Sequence, residues 1–301
     1  MPRICYIPKS FNATATKIID IANSIIREYA QQGLDLTLRQ VYYQFVARGY
    51  IPNSDREYNR LGSVINDARL AGLIDWEAIV DRTRYLESIS HYGHPKDMID
   101  VGAKAYHNDL WETQPNYVEV WIEKDALKGV IAGICDSMDT PYFSCRGYTS
   151  QSEMWGTGQR LLKKGSEGKG LYILHLGDHD PSGIDMSRDI KERLTLFINP
   201  HKVTLRRIAL NYGQVQQYRP PPNPAKVTDS RAKEYIAKYG NQSWELDALN
   251  PTVLITLIRH HILELRDERL WQAAVESQEK GRKVLKIIHK RWPEVMRLLA
   301  T

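Results

Sequence analysis

LYILHLGDHDPSGID, residues Leu171–Asp185, is the stretch from which the fold can be read. Six mostly apolar residues run into Gly177, the length and make-up of a buried strand. Asp178 and Asp180 follow, one residue apart, and Pro181, Ser182 and Gly183 then lead into a helical stretch from about Ser182 to Ile198. A strand that ends in charge and turns at once into a helix is a unit of an α/β sheet. Ligands of such sheets gather at the carboxyl ends of the strands.

The same unit recurs on either side. From about residue 116 the order is YVEVWI, a helix from about Lys124, PYFSC, a helix around Gln151–Leu162, LYILHL, the helix to Ile198 and KVTLRRIAL. This alternation predicts a parallel-sheet α/β domain over residues 116–220. YVEVWI runs directly into Glu123, followed by Lys124 and Asp125. If the two strands are neighbours, Glu123, Asp178 and Asp180 converge at one sheet edge. Carboxylates that close raise one another's pKa unless a cation is present, and a hard divalent ion resolves the conflict. Strand alternation sets Asp178 and Asp180 on one side, suited to a shared ion. A second reading stays open, a loop in which Asp180 caps the following helix. His175 reads as a core residue, and His179, opposite the aspartates, as facing a phosphate.

Before this domain lie three short helices. ATATKIIDIANSIIREYAQQG repeats Ile18, Ile21, Ala22, Ile25 and Tyr29 at helical spacing and stops at Gly33. TLRQVYYQFVARGYI starts on a threonine and ends at Gly49, and REYNRLGSVINDARLAGLI carries Arg56, Arg60 and Arg69 as exposed positions. Helical phase groups Tyr42 with Leu38 and Phe45, and Tyr43 with Arg39 and Ala47 on a more polar side, which makes Tyr43 the accessible ring. Short helices joined by tight turns predict a helix-turn-helix or winged-helix core over residues 1–95, with a small strand or wing in IDWEAIVDRTRYLES. SISHYGHPKDMID reads as an exposed connection, and residues 96–115 as a connecting helix or linker.

After the sheet, YRPPPNPAK excludes a central strand or helix and predicts an ordered loop or arm. Residues 221–301 read as mainly helical and packed on the α/β domain. In SWELDAL, Glu245 and Asp247 alternate with Trp244 and Leu246, a pattern read as anchoring the junction into the last helices.

Composition narrows the class. With 301 residues and 42% hydrophobic content the chain can bury real cores, and 41 basic against 36 acidic residues permit a nucleic-acid partner without demanding one. Cys5, Cys135 and Cys145 fit neither a disulfide framework nor a zinc knuckle and read as reduced thiols of a cytoplasmic protein. No run approaches the ~18 apolar residues of a membrane span, and MPRICYIPKS lacks a secretory apolar core.

IEKDAL (Ile122–Leu127) followed by LGDHDPSGID resembles the Toprim domain, marked by a strand-terminal glutamate and a later strand-terminal DxD. Within that superfamily the form is most similar to the A subunit of topoisomerase VI and its relative that initiates meiotic recombination. CRGYTSQS (Cys145–Ser152) resembles the Gly-Tyr turn after their second strand, and RQVYY their Arg-acid-aliphatic-aromatic-Tyr motif, with Gln40 in place of the acid. The length suggests a compact stand-alone form like the "Mini-A" proteins of mobile elements.

The resemblance implies a winged-helix domain before the Toprim domain, with Mg²⁺, or Mn²⁺ in its place, held by Glu123, Asp178 and Asp180. It also implies Tyr43 as nucleophile in a transesterification at a DNA phosphodiester, steadied by Arg39. A homodimer on double-stranded DNA follows from it, the tyrosine of one protomer meeting the metal of the other. Arg56, Arg60 and Arg69 would then contact backbone phosphates. No glycine-rich nucleotide motif is present, so ATP-driven strand passage would need a separate ATPase partner. Two other functions fit the same residues: a Toprim nuclease in which water attacks, and a non-catalytic winged-helix DNA-binding protein.

Overall fold

In a computed structural model, which describes residues 3–81, 89–225 and 228–299, four parallel strands form the central sheet. They are β1 (Asn116–Ile122), β2 (Tyr142–Ser144), β3 (Gly170–Leu176) and β4 (Val203–Ala209), in the spatial order β2-β1-β3-β4. The strands expected at YVEVWI and LYILHL are therefore neighbours, in register from Asn116↔Gly170 to Ile122↔Leu176.

Alternation along the strands builds a core on each face. Val118, Val120 and Ile122 of β1, with Leu174 and Leu176 of β3, pack against α5 (Lys128–Ser137) and α10 (Pro251–Leu263). Tyr117, Trp121, Leu171 and Ile173 point the other way, onto α6 (Gln151–Ser166) and α7 (Pro181–Ile198). A parallel sheet covered on both faces needs strands that are apolar nearly throughout, and each large side chain buried contributes about 1.5–3 kcal/mol. The one charge in the middle of β1, Glu119, is fully engaged: it accepts from Tyr117 Oη (2.9 Å), Trp121 Nε1 (2.9 Å) and Arg160 Nε (2.7 Å).

The three expected helices precede the sheet as α1 (Ala13–Ala30), α2 (Leu38–Ala47) and α3 (Asp55–Leu70). Asn12 caps α1 by accepting from Ala15 N (2.8 Å), and Thr37 caps α2 in a reciprocal box with Gln40. Ile18, Ile25, Tyr29, Val41, Phe45, Leu61 and Ile65 form their shared core. The small strand expected in IDWEAIVDRTRYLES is represented by a single parallel bridge, Leu36↔Ile79; residues 82–88 of that stretch lie outside the described residues.

Part of the expected connection is regular. His94 caps α4 (Pro95–Ala105) in a box with Asp97, and α4 packs on α11 (Glu268–Lys290). After β4 come α8 (Tyr212–Tyr218), β5 (Asn223–Pro224), α9 (Ala232–Tyr239) and β6 (Gln242–Ser243), with α12 (Trp292–Leu299) following α11. The proline-rich run is tied down by the antiparallel β5–β6 pair. Among the described residues no helix is long and apolar enough to cross a membrane, and all three cysteines are free.

Candidate functional site

The site grows from the carboxyl edge of β1 and β3. Glu123 N donates to Leu176 O (2.9 Å) and Glu123 Oε2 accepts from Asp178 N (2.8 Å), so the two strand ends are joined by the carboxylate itself. The loop has no room for larger residues: a Cβ on Gly177 would lie 3.0 Å from Glu123 Oε2, and one on Gly183 would lie 2.3 Å from Asp178 O. Asp180 is the N-cap of α7, its Oδ1 accepting from Gly183 N (2.6 Å) and Ser182 Oγ (3.0 Å). The capping reading of Asp180 is thus realised, and its other oxygen, Oδ2, takes no hydrogen bond among the described residues.

A later segment closes over this edge. His179 and Trp244 exchange backbone hydrogen bonds (2.8 and 3.0 Å), and Leu246 N donates to Asp178 Oδ1 (2.7 Å). Glu245 and Asp247 are thereby brought to Lys124, whose Nζ lies 2.6 Å from Glu245 Oε2, 2.9 Å from Asp247 Oδ1 and 3.2 Å from Asp178 Oδ2. Arg39 reaches the same pair from α2, at 3.0 Å from Glu245 and 3.1 Å from Asp247. Tyr43 Oη donates to Glu245 Oε2 (2.9 Å). Glu245 and Asp247 do anchor a junction, but by ion pairs to α2 and the sheet edge.

Tyr43 is not the accessible ring that helical phase predicts. It is 3% exposed and Tyr42 4%. Phase sees only the helix itself, whereas the polar side of α2 is covered by the segment carrying Glu245, Asp247 and Ala248. Beside Tyr43 opens a cleft of about 320 Å³, lined by Arg39, Tyr43, Ser54, Tyr58, Asn223 and Glu245 among others.

Arg207, from β4, supports the loop from below. It donates to Gly183 O (2.9 Å), Gly177 O (2.9 Å), Ser187 Oγ (2.9 Å) and Asp178 O. Sequence reading passed over Arg207; the available signal was a charged residue inside the apolar run KVTLRRIAL. His179 does not face outward. It is 2% exposed, ringed by Tyr212, Tyr235, Tyr239 and Trp244, and its Nδ1 is 2.8 Å from Tyr235 Oη. Its backbone pairing with Trp244 turns the ring inward, away from any phosphate. Arg69 also departs from expectation, since it is half-buried, donates to Trp76 O (2.5 Å) and stacks on the Trp76 ring. Arg56 and Arg60 of α3 are exposed, Arg60 paired with Glu57 at 3.1 Å.

Burial and charge set the protonation of the cluster. Burial pushes Asp178 up to about 8, with Glu123 adding to the rise and Lys124 opposing it. Burial also raises Glu123, and Asp180 reinforces the shift. For Glu245 burial is outweighed by Lys124 and Arg39, which hold its carboxyl down to about 2. Tyr43 is raised well above the ordinary phenol, first by burial and then by Asp247 and Glu245, so it rests as a neutral phenol.

His175 is fully buried, with Nδ1 2.8 Å from Ser187 Oγ and Nε2 without a partner among the described residues. Burial, then the charge of Arg207, holds its pKa down to about 3. An unfolded imidazole protonates near ~6.5, so between these values the unfolded chain binds the extra proton and stability falls as pH falls. Urea unfolding at pH 7 and pH 4.5 is expected to show a loss of about 2 kcal/mol from this group, absent in His175→Leu. An equal loss in that variant would assign the acid sensitivity elsewhere.

Five carboxylates, Glu123, Asp178, Asp180, Glu245 and Asp247, thus meet three cations, Arg39, Lys124 and Arg207. The set is all oxygen and, with all five carboxyls ionised, would carry a surplus of two negative charges, the charge a hard divalent cation would cancel; without one, burial holds Asp178 and Glu123 toward their neutral forms. Glu123, Asp178 and Asp180 do not each bring even one carboxylate oxygen within 4.8 Å of the other two. Among the described residues the group whose ligand atoms come that close is His260, His261 and Glu264 on α10. There Arg206 Nη1 already lies 3.2 Å from Glu264 Oε2. Comparison with protein-family models and with curated proteins finds no match to the chain.

Proposed function

We propose that the chain is a Mg²⁺-dependent DNA-cleaving protein of the topoisomerase VI A-subunit type, with a Toprim-like sheet and Tyr43 as nucleophile. The observation that carries this reading is the convergence at one sheet edge. Glu123 of IEKDAL accepts from the backbone N–H of Asp178 of LGDHDPSGID at 2.8 Å, and Tyr43 of RQVYY is tied to the same edge through Glu245 and Lys124. Glu123, Asp178 and Asp180 would hold the ion, which when bound supplies positive charge to the scissile phosphate.

The phenolic oxygen of Tyr43 attacks phosphorus and the bond to the 3′ oxygen breaks. That oxygen leaves with a proton from solvent, the phenol proton is lost to solvent, and the 5′ phosphate stays on the tyrosine. Because Tyr43 rests buried and neutral, DNA entering the adjoining cleft has to break the hydrogen bond from Tyr43 Oη to Glu245 and draw Arg39 from Glu245 to a phosphate. The three N-terminal helices act as a winged-helix DNA-binding domain, with Arg56 and Arg60 meeting backbone phosphates. Two protomers on double-stranded DNA make the paired cuts, and strand passage takes its ATP from a separate partner.

Wild-type protein incubated with duplex DNA and Mg²⁺, then denatured, is expected to carry DNA by its 5′ ends. Glu123→Gln and Asp178→Asn should each lower the yield more than about 100-fold, beyond the loss typical of residues that only support a metal ligand. Absence of any adduct from wild type would overturn the reading. One observation favours a second reading: Tyr43 is buried and hydrogen-bonded as a structural residue would be. In that case the acidic edge is a nuclease site in which water attacks, and DNA is cut with no protein attached.

A further inference from the structure

We infer that the second half of α11, from Lys280 to the capping Arg291, is a docking face for the phosphate backbone of duplex DNA, on an element apart from the acidic sheet edge and from α3. It shares with the reading above only the partner, DNA; it needs no metal, no chemistry at Tyr43 and no cut.

The first observation is where the charge lies. Residues 280–301 hold seven of the chain's 41 Lys and Arg but one of its 36 acids, Glu294, which leaves 34 basic against 35 acidic residues in everything before them. The whole positive balance of the protein sits at this end. Helical phase then sorts the charges, because at about 100° per residue Lys280, Lys283, Lys290 and Arg291 fall in one stripe with Val284 and Ile287. All six are exposed, Val284 to 56% and Ile287 to 55%. Lys280, Lys283 and Lys290 form no ion pair among the described residues, while Arg291 pairs with Glu294.

The opposite face of the helix is closed. Gln278 Oε1 accepts from Asn108 N (2.8 Å), Arg282 Nε donates to Tyr106 O (2.9 Å), and a Cβ on Gly281 would lie 2.4 Å from the Tyr106 ring. The stripe is therefore fixed outward. Lys280 and Lys290 stand ten residues apart, about 15 Å along a helix, and a duplex carries one phosphate charge per ~1.7 Å of its axis. A straight row of ammoniums of that length meets several phosphates.

The needs of the helix itself do not account for the pattern. In the first half of α11, Glu268, Glu276 and Glu279 stand among the cations, the usual mixture of an exposed face. Beyond it Lys283, Lys286 and Lys290 lie three and four apart, spacings at which like charges weaken a helix. The helix dipole favours cations in the last turn, which covers Lys290 but neither Lys280 nor Lys283. A lipid surface fits the stripe less well, since an interfacial helix sinks a broad apolar face into the bilayer and α4 already occupies that face of α11. With Met296, Leu298 and Leu299 exposed on α12, lipid is the occupant to measure against.

The full chain is titrated with a fluorescein-labelled duplex of random sequence in EDTA, over a series of salt concentrations. Glutamine at Lys280, Lys283 and Lys290 together is expected to weaken binding roughly 10- to 100-fold at about 0.1 M salt and to lower the slope of log K against log salt by about 2–3, near 0.9 for each lost contact. Arginine at the same three positions should bind as wild type does. Glutamine at Lys163, Lys191 and Lys202, which are exposed elsewhere, removes the same charge and should leave the slope unchanged. An equal drop in that control would make net charge the cause and overturn the proposal. So would wild-type affinity in the first glutamine variant, or an arginine variant as weak as the glutamine one. Phosphatidylserine vesicles that bind wild type, with duplex affinity unmoved by the glutamines, would assign the face to lipid instead. Duplex bound through this face, with no covalent adduct in the Mg²⁺ reaction, would keep the proposal and remove the cleavage reading; no duplex binding by wild type would remove both.

Discussion

Tyr43→Phe is expected to abolish covalent attachment of the protein to DNA while leaving the fold in place. Phenylalanine has no oxygen to attack phosphorus, and loss of a covalent nucleophile costs on the order of 10⁶-fold in well-studied cases. The fold should tolerate the change because the ring stays. It packs edge-on against Tyr42, with centroids 5.3 Å apart, inside the core of the N-terminal helices. What is lost is the hydrogen bond to Glu245, and Glu245 Oε2 keeps Lys124 at 2.6 Å and Arg39 at 3.0 Å. No buried acceptor is orphaned, so the stability cost is about 1 kcal/mol. Adduct yield and denaturation midpoint, measured on the same preparation, separate chemistry from folding. A Tyr43→Phe protein that cuts DNA at the wild-type rate would remove tyrosine from the reaction and leave the water-based nuclease.

Arg207→Met is expected to lower stability by about 3–5 kcal/mol, the range found when one side of a buried ionic arrangement is removed. Methionine fills much of the volume and supplies none of the donors. The guanidinium bonds the carbonyls of Gly177, Asp178 and Gly183, which belong to the loop that presents Asp178 and Asp180. Its own pKa is depressed by burial, so it is held there against its solvation. Without it Glu123 and Asp178 lose a neighbouring positive charge in a site where burial already raises both carboxyls. A lower urea midpoint at unchanged slope is the expected reading, partly reversed by millimolar Mg²⁺. A loss below about 1 kcal/mol would show the loop to be self-supporting, within the reach of one ordinary hydrogen bond.

The sequence by itself determined the elements. Apolar runs of strand length alternating with amphipathic helices, caps such as Asn12, Thr37 and Asp180, and carboxylates at strand ends are local properties, set within a few residues by backbone geometry and hydrogen bonding. They yielded the parallel sheet, the three leading helices and the helical end; the meeting of Glu123 with Asp178 followed only once β1 and β3 were paired as neighbours. Tertiary structure alone decided the rest. Tyr43 is covered, Lys124 is ringed by acids and Glu245 joins the site because a segment 202 residues after Tyr43 folds back over α2, pinned by the His179–Trp244 bridge. Arg207 supports the loop because β4 lies beside β3. Those positions depend on which surfaces meet, and the pattern along a single helix or strand carries no record of its distant neighbours.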